Sequence, residues 1–394
     1  MLIRFLIMNA YATGGTVRTT LNLAAGLAGR HEVEVVSVYR HHDDPDIRPD
    51  PSVRLRALVD DSPSARRSVN PLLRPVSRAV QKARSSQPSR LIHPMDARYD
   101  NFDRRTDSAL HRYLTTLDGG ALISTRVGLS LAMAEHAPPS VLRVAQEHLH
   151  LGRYRGQLRN SIASTFPRLD AVSALTDRDA RGYRKLLGSS TRVVHIPNAV
   201  PDTGPGQAAL TGNLAIAIGR LAPQKALHRL VSAWEQVAAR HPDWVLRIFG
   251  DGRRRAELQA QIDAAGLTGK VVLAGFTTSI HDELRRSSLL AMSSKFEGFP
   301  MTLLEAMSCG VPVVSFDCNN GPRDLITHGE TGLLIPNGDI DGLAAGVCEL
   351  IEDPAKRRRL ADAARLSMTA YNLPAVVGRW ESLLAELAAQ RRVS

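Results

Sequence analysis

Twice along this sequence, short apolar runs alternate with longer stretches of helical periodicity, and that alternation admits little besides parallel β-sheets joined by crossover helices. The first series opens with an apolar run at residues 2–8, a turn at Gly14-Gly15, a helical stretch at 16–28 and a second run at 31–39. Further strands are expected at 53–58, 121–124, 141–146, 171–173 and 193–196, with a helix at 176–187. Residues 201–212 are rich in proline and glycine and read as a linker. In the second series, strands are expected at 214–218, 245–249, 271–273, 289–292 and 313–316. Helices at 227–240, 254–265, 280–286 and 301–309 fall between them, and helices at 341–352, 354–370 and 376–390 close the chain. A length of 394 residues suits two α/β domains, 1–200 and 201–375, followed by a terminal segment, 376–394.

Composition narrows the partners. Fifty Lys and Arg against 39 Asp and Glu give a net charge of +11, a surface that attracts anions. Aromatics at 5% and the lack of a nucleic-acid motif argue against nucleic acid. A basic insertion at about 60–112 holds Arg66, Arg67, Arg74, Arg78, Lys82, Arg84, Arg90, Arg98, Arg104 and Arg105. It reads as mobile or helical, and equally as an acceptor-binding or a merely solvated surface. Cys309, Cys318 and Cys348 match no zinc spacing and no disulfide framework, which fits a reducing cytoplasm. The first apolar run is too short for a signal peptide, and no stretch approaches the roughly 18 apolar residues of a membrane span. A cytoplasmic location is therefore expected, with any contact at the inner face of the plasma membrane peripheral.

The segment most suited to chemistry is Phe296-Glu297-Gly298-Phe299-Pro300-Met301-Thr302-Leu303-Leu304-Glu305. Glu297 falls in a loop after a buried strand, and Glu305 falls in the helix that follows. Gly298 lets backbone approach a ligand, and Pro300 suits a helix start. The amides of Met301, Thr302 and Leu303 are then expected to be free at a positive helix end, a ready phosphate site.

Glu297 and Glu305, with seven residues between them, resemble the E-x7-E signature of retaining glycosyltransferases of family 4, in the GT-B superfamily. Ile218-Gly219-Arg220-Leu221-Ala222-Pro223-Gln224-Lys225 resembles that family's donor-phosphate segment, and Phe249-Gly250-Asp251-Gly252 its following glycine turn. Gly275-Phe276 resembles the loop near the donor base. Gly310-Val311-Pro312 and Gly329-Glu330-Thr331-Gly332 also stand in the family's order, so the resemblance covers most of 214–340. Asn320-Gly321-Pro322-Arg323-Asp324 is nearest to the branch acting on polyol-phosphate polymers such as teichoic acid, although Asp324 replaces a glutamate.

The resemblance implies a GT-B fold: two facing Rossmann-like domains with parallel sheets, a deep cleft between them, and a last helix crossing back to the first domain. It implies a retaining hexosyltransferase, with a UDP-sugar the favoured donor and an anionic polymer, lipid-linked or small-molecule acceptor. Arg220 and Lys225 would stabilise the leaving diphosphate, Glu305 would accept from ribose hydroxyls, and Glu297 would face the sugar. Gly14, Gly15, Gly219, Gly250, Gly298, Phe299, Met301, Thr302 and Leu303 would complete donor binding. His148, at the end of Gln146-Glu147-His148, would lie against the transferred sugar, with His150 the competing choice and Arg153 and Arg155 nearby. Asn198 reads as structural.

No cofactor or metal is expected, because the D-x-D triplets at Asp44, Asp177 and Asp339 stand outside the donor motifs. Alanine at Lys225 or Glu305 is expected to abolish turnover and leave the fold intact. The rivals are an epimerase on the same architecture and a non-catalytic anionic-polymer-binding protein. A phosphorylase would need a pyridoxal-bearing lysine, which no segment suggests.

Overall fold

The computed structural model describes residues 1–68 and 87–393. Two compact units emerge, one formed by Met1–Ala199 with Leu373–Ser394 and the other by Val200–Asn372. Arg74, Arg78, Lys82 and Arg84 of the basic insertion lie outside the described residues.

The first unit is built on strands β1 (Leu2–Ile7), β2 (Glu32–Arg40), β3 (Val53–Asp60), β4 (Ala121–Ser124), β5 (Leu142–Glu147), β6 (Ala171–Ala174) and β7 (Arg192–His195). They form a parallel sheet in the order β3-β2-β1-β4-β5-β6-β7. Helices cover both faces, so short strands such as β4 and β6 are buried at every residue and carry small or apolar side chains. The helix Arg104–Thr115 begins inside the basic segment yet is a core element. Leu110, Tyr113 and Leu114 recur at helical spacing and are buried, while the arginines take the other face. Asp103 and Thr106 close a reciprocal capping box at its start.

The last helix, Leu373–Val393, belongs to the first unit and begins before the apolar periodicity that betrays it. Val376, Trp380, Leu383, Leu384 and Leu387 share a core cluster with Phe5, Leu21 and Leu27. Gly26 permits the close approach of the helix Gly15–Ala28, since a Cβ there would sit 2.6 Å from Val377 Cγ2. Arg391 fastens the far end, donating to both Asp170 carboxylate oxygens at 2.6 Å.

The second unit holds β8 (Leu214–Ile218), β9 (Val245–Phe249), β10 (Val271–Gly275), β11 (Leu289–Met292), β12 (Val313–Asp317) and β13 (Leu333–Pro336). Their order is β10-β9-β8-β11-β12-β13, again parallel throughout. β13 is absent from the sequence expectation. Its four residues end in proline and follow a glycine turn, so no period-2 pattern can develop, and pairing with β12 makes it a strand. Chain order reverses between β1 and β4 in one sheet and between β8 and β11 in the other. In open parallel sheets, ligands bind outside the carboxyl ends of the strands at such reversals.

Candidate functional site

In the second unit the two strands flanking the reversal, β8 and β11, deliver the loops that carry Arg220, Lys225 and Glu297. The loops are stitched together. Lys295 N donates to Gln224 O at 2.8 Å, Gln224 Nε2 to Phe296 O at 3.0 Å, and Ser293 Oγ to Lys225 O at 3.1 Å. This brings Lys225 Nζ to 2.7 Å from Glu297 Oε1, an ion pair whose side chains are only 17% and 7% exposed. Ala226 follows in the left-handed region at φ 46°, fully buried and immediately before the helix Leu227–Arg240. A non-glycine residue held there reflects local over-determination by its neighbours.

The glycines of the donor motif serve this packing. At Gly250, φ is 135° and a Cβ would stand 2.0 Å from Gly219 O, so the turn after β9 lies directly on the turn after β8. Gly219 N donates to Phe249 O and Leu221 N to Asp251 O, both at 2.9 Å. Gly219 itself leaves room for the Lys225 stem, 2.9 Å from where its Cβ would be. Gly321, with φ 94°, packs in the same way on Pro300.

Around this pair the expected residues divide. Arg220 is exposed, and no carboxylate reaches its guanidinium among the described residues. In the helix Met301–Ser308, the Leu303 amide donates to Pro300 O at 2.9 Å. The expectation of three free amides is thus corrected: the chain tightens to an i→i−3 bond at the helix start, which leaves Met301 and Thr302 as the open donors. Leu303 has a wholly buried side chain, and Phe299 is buried with its ring 6.2 Å from that of Tyr371. Gly298 is half-buried, Thr302 keeps a buried hydroxyl without a partner, and Glu305 is buried one turn into the helix. Phe276, just past β10, is 69% exposed. Asp324 uses its carboxylate locally, accepting from Gly321 N at 3.1 Å.

Lys225 is the counter-charge of a buried glutamate, so Lys225→Ala, expected from the sequence to leave the fold intact, is now expected to cost stability as well. Carboxylates of two of the three D-x-D triplets are engaged elsewhere. Asp179 accepts from Leu151 N, Asp339 caps the helix Ile340–Glu352, and Asp341 accepts from Gln236. One group with metal-ligand reach occurs among the described residues, His241, Cys348 and Glu352, at the amino end of β9 and away from the donor loops. Arg240 already shares Glu352 there, at 3.3 Å.

Gly14, Gly15 and His148 belong to the first unit. The two glycines are exposed at the start of the uncapped helix Gly15–Ala28. His148 follows the carboxyl end of β5. Its Nε2 is buried without a partner, and burial pushes its pKa down to about 4, so the ring is neutral at neutral pH. A neutral imidazole can position a hydroxyl but brings no charge to a reacting centre. His150 is half-buried, and burial lowers its pKa too. Asn198 is buried with its Oδ1 unpartnered.

Sequence reasoning passed over Glu147, whose only signal was its place between Gln146 and His148. It is buried, and accepts from Tyr154 OH at 2.8 Å and Ser130 Oγ at 3.0 Å. Burial is the chief reason its pKa rises from 4.5 to about 7. A carboxyl with a raised folded-state pKa stabilises fully below its unfolded value and loses that contribution as pH rises through the folded one. Wild-type stability should therefore fall between pH 5 and 8 by a component that Glu147→Gln removes. Melting temperatures of both proteins at the two pH values test this, and equal slopes would assign the titration elsewhere.

Residues 205–367 match the family model for glycosyl transferases group 1. That match lies within the unit that carries the Lys225–Glu297 pair. Among curated relatives, an exopolysaccharide phosphotransferase of Streptomyces coelicolor is 34% identical over 99% of this chain and 41% of its own length. The poly(glycerol-phosphate) alpha-glucosyltransferase of Bacillus subtilis is 26% identical over 64% of this chain and 38% of its own. The chain thus spans about two fifths of the length of these two relatives. Among solved structures, TarM of S. aureus superposes with a TM-score of 0.78 at 15% identity, covering 98% of this chain and 100% of that one. Sucrose-phosphate synthase of Thermosynechococcus elongatus gives 0.77 at 17% identity, covering 99% and 100%. The fold is GT-B, with two Rossmann-like parallel-sheet domains. No helix among the described residues is long and apolar enough to cross a membrane.

Proposed function

We propose that this chain is a retaining glycosyltransferase that moves a hexosyl group from a nucleotide-diphosphate sugar, a UDP-sugar by preference, to a hydroxyl of an anionic cell-envelope glycopolymer. The observation that carries this reading is the buried Lys225–Glu297 pair at the β8/β11 reversal, with the uncommitted Arg220 in the same loop after β8. Two cations and the open amides of Met301 and Thr302 suit a diphosphate, whose charge grows as the glycosidic bond breaks. With those donors present the reading needs no divalent metal. Glu297 would accept hydrogen bonds from the sugar and Glu305 from the ribose, and exposed Phe276 offers a face to the base. In a front-face displacement the C1–phosphate bond breaks as the acceptor oxygen bonds to C1 on the same side. The acceptor proton passes to the departing phosphate, and His148 positions without carrying charge.

Two of the names agree in direction, since one is a poly(glycerol-phosphate) alpha-glucosyltransferase and TarM was solved with α-GlcNAc-glycerol and UDP, whereas the Streptomyces relative is named a phosphotransferase. The net charge of +11 suits an anionic acceptor. A thermal-shift comparison of UDP, GDP and ADP tests the donor assignment. UDP at about 100 times its Kd should stabilise the second unit by about 2.7 kcal/mol, and Glu305→Ala should remove most of that shift. Absence of a shift with every nucleotide at millimolar concentration and low salt would remove the donor reading.

A further inference from the structure

The face of the first sheet that carries Leu6, Val36 and Val38 is apolar toward the carboxyl ends of its strands. Toward the amino ends the same face changes character. Strand register sets Arg4 beside Glu34 and Glu34 beside Arg54, and it sets Arg56 beside Val36. Alternation along each strand puts these side chains on one face. With the end of the helix Arg104–Thr115 and the turn after it, they line a cavity of about 520 Å³.

The charges of the cavity are unequal. Arg4, Arg54, Arg56 and Arg112 face Glu34 and Asp118. Two of the four cations are engaged: Arg4 donates to Gly119 O at 3.0 Å and lies 4.0 Å from Glu34, and Arg54 pairs with Glu32. Among the described residues, the guanidiniums of Arg56 and Arg112 have neither a hydrogen bond nor an ion pair. Arg56 rests against the ring of Tyr113, 5.8 Å from its centre. Tyr113 is 7% exposed, and its hydroxyl is buried without a partner.

We propose that this cavity binds an organic phosphate, a phosphate ester carried on a small polyol or sugar, with Arg56 and Arg112 taking the phosphate oxygens. Guanidinium forks match phosphate geometry, and both of these are uncommitted. The volume is that of a small-molecule site and far exceeds a bare phosphate ion, while the polar lining suits hydroxyls. The cavity opens at the amino ends of β1, β2 and β3, whereas His148 follows the carboxyl end of β5, so within the first unit it is a separate site from that histidine.

Calorimetric titration of the full chain with sn-glycerol 3-phosphate, glycerophosphoglycerol and inorganic phosphate tests the proposal. Arg56→Ala/Arg112→Ala should weaken ester binding by at least about tenfold and leave the UDP thermal shift unchanged. Arg359→Ala/Arg365→Ala removes the same charge from exposed positions of the helix Pro354–Ser367 in the other unit and should change neither. A stronger monoester identifies a free metabolite as the source, and a stronger diester identifies a polymer segment; both sustain the site. Ester binding that survives Arg56→Ala/Arg112→Ala, that falls equally in the control pair, or that is no tighter than binding of inorganic phosphate would overturn it.

Discussion

Lys225→Ala should cost this protein donor turnover and stability together. Removing the ammonium leaves Glu297 buried with no counter-charge, since the pair is 2.7 Å long and both side chains are largely shielded. Breaking such a pair from one side destabilises by about 3–5 kcal/mol, and the lower figure applies because Lys225 keeps some contact with water. Turnover of a UDP-sugar should fall by at least about 100-fold, as loss of one preorganised charge at a developing anion does elsewhere. The double variant Lys225→Met/Glu297→Gln separates the two effects. It removes both charges, so its denaturation midpoint should recover toward wild type while turnover stays lost. Full turnover in a folded Lys225→Ala would leave the pair a structural feature and remove it from the chemistry.

Gly250→Ala is expected to be the most damaging single methyl in the second unit. Its φ of 135° disfavours any side chain, and the new Cβ would stand 2.0 Å from Gly219 O, a backbone atom that cannot rotate away. A destabilisation of about 3 kcal/mol or more follows, or about 6 °C in melting temperature for a unit of this size. Because the displaced segment is Gly219-Arg220-Leu221, nucleotide binding should weaken as well. Gly29→Ala is the control. Its φ is −64° and nothing lies within 4 Å of the new Cβ, so its melting temperature should stay within about 1 °C of wild type. A Gly250→Ala protein that melts like wild type would mean the two turns do not pack as described.

The elements that carry the candidate site were legible in the sequence, for a local reason. Strand and helix periodicity, the glycine turns and the spacing from Glu297 to Glu305 depend on neighbours a few residues apart, and such patterns survive in a bare sequence. The terminal helix was legible in the same way, through Trp380 and its neighbours at helical spacing. Where an element was too short for a period, as in β13, pairing with β12 was needed to make it a strand.

What the sequence alone determined was the α/β class, two series of strands, and the candidate donor residues by type and order. The tertiary structure decided which of them meet. Lys225 and Glu297 stand 72 positions apart, and only the placing of β8 beside β11 makes them partners. That juxtaposition made Lys225, expected as a cation for the leaving diphosphate, half of a buried pair, and a Pro300 carbonyl took the Leu303 amide from the expected phosphate site. Burial likewise set His148 neutral and raised Glu147, because desolvation depends on everything packed around a group and not on its neighbours in sequence. The arginine-lined cavity belongs with these. Arg4, Arg54, Arg56 and Arg112 come from three separate stretches of chain, and parallel register with one covering helix gathers them.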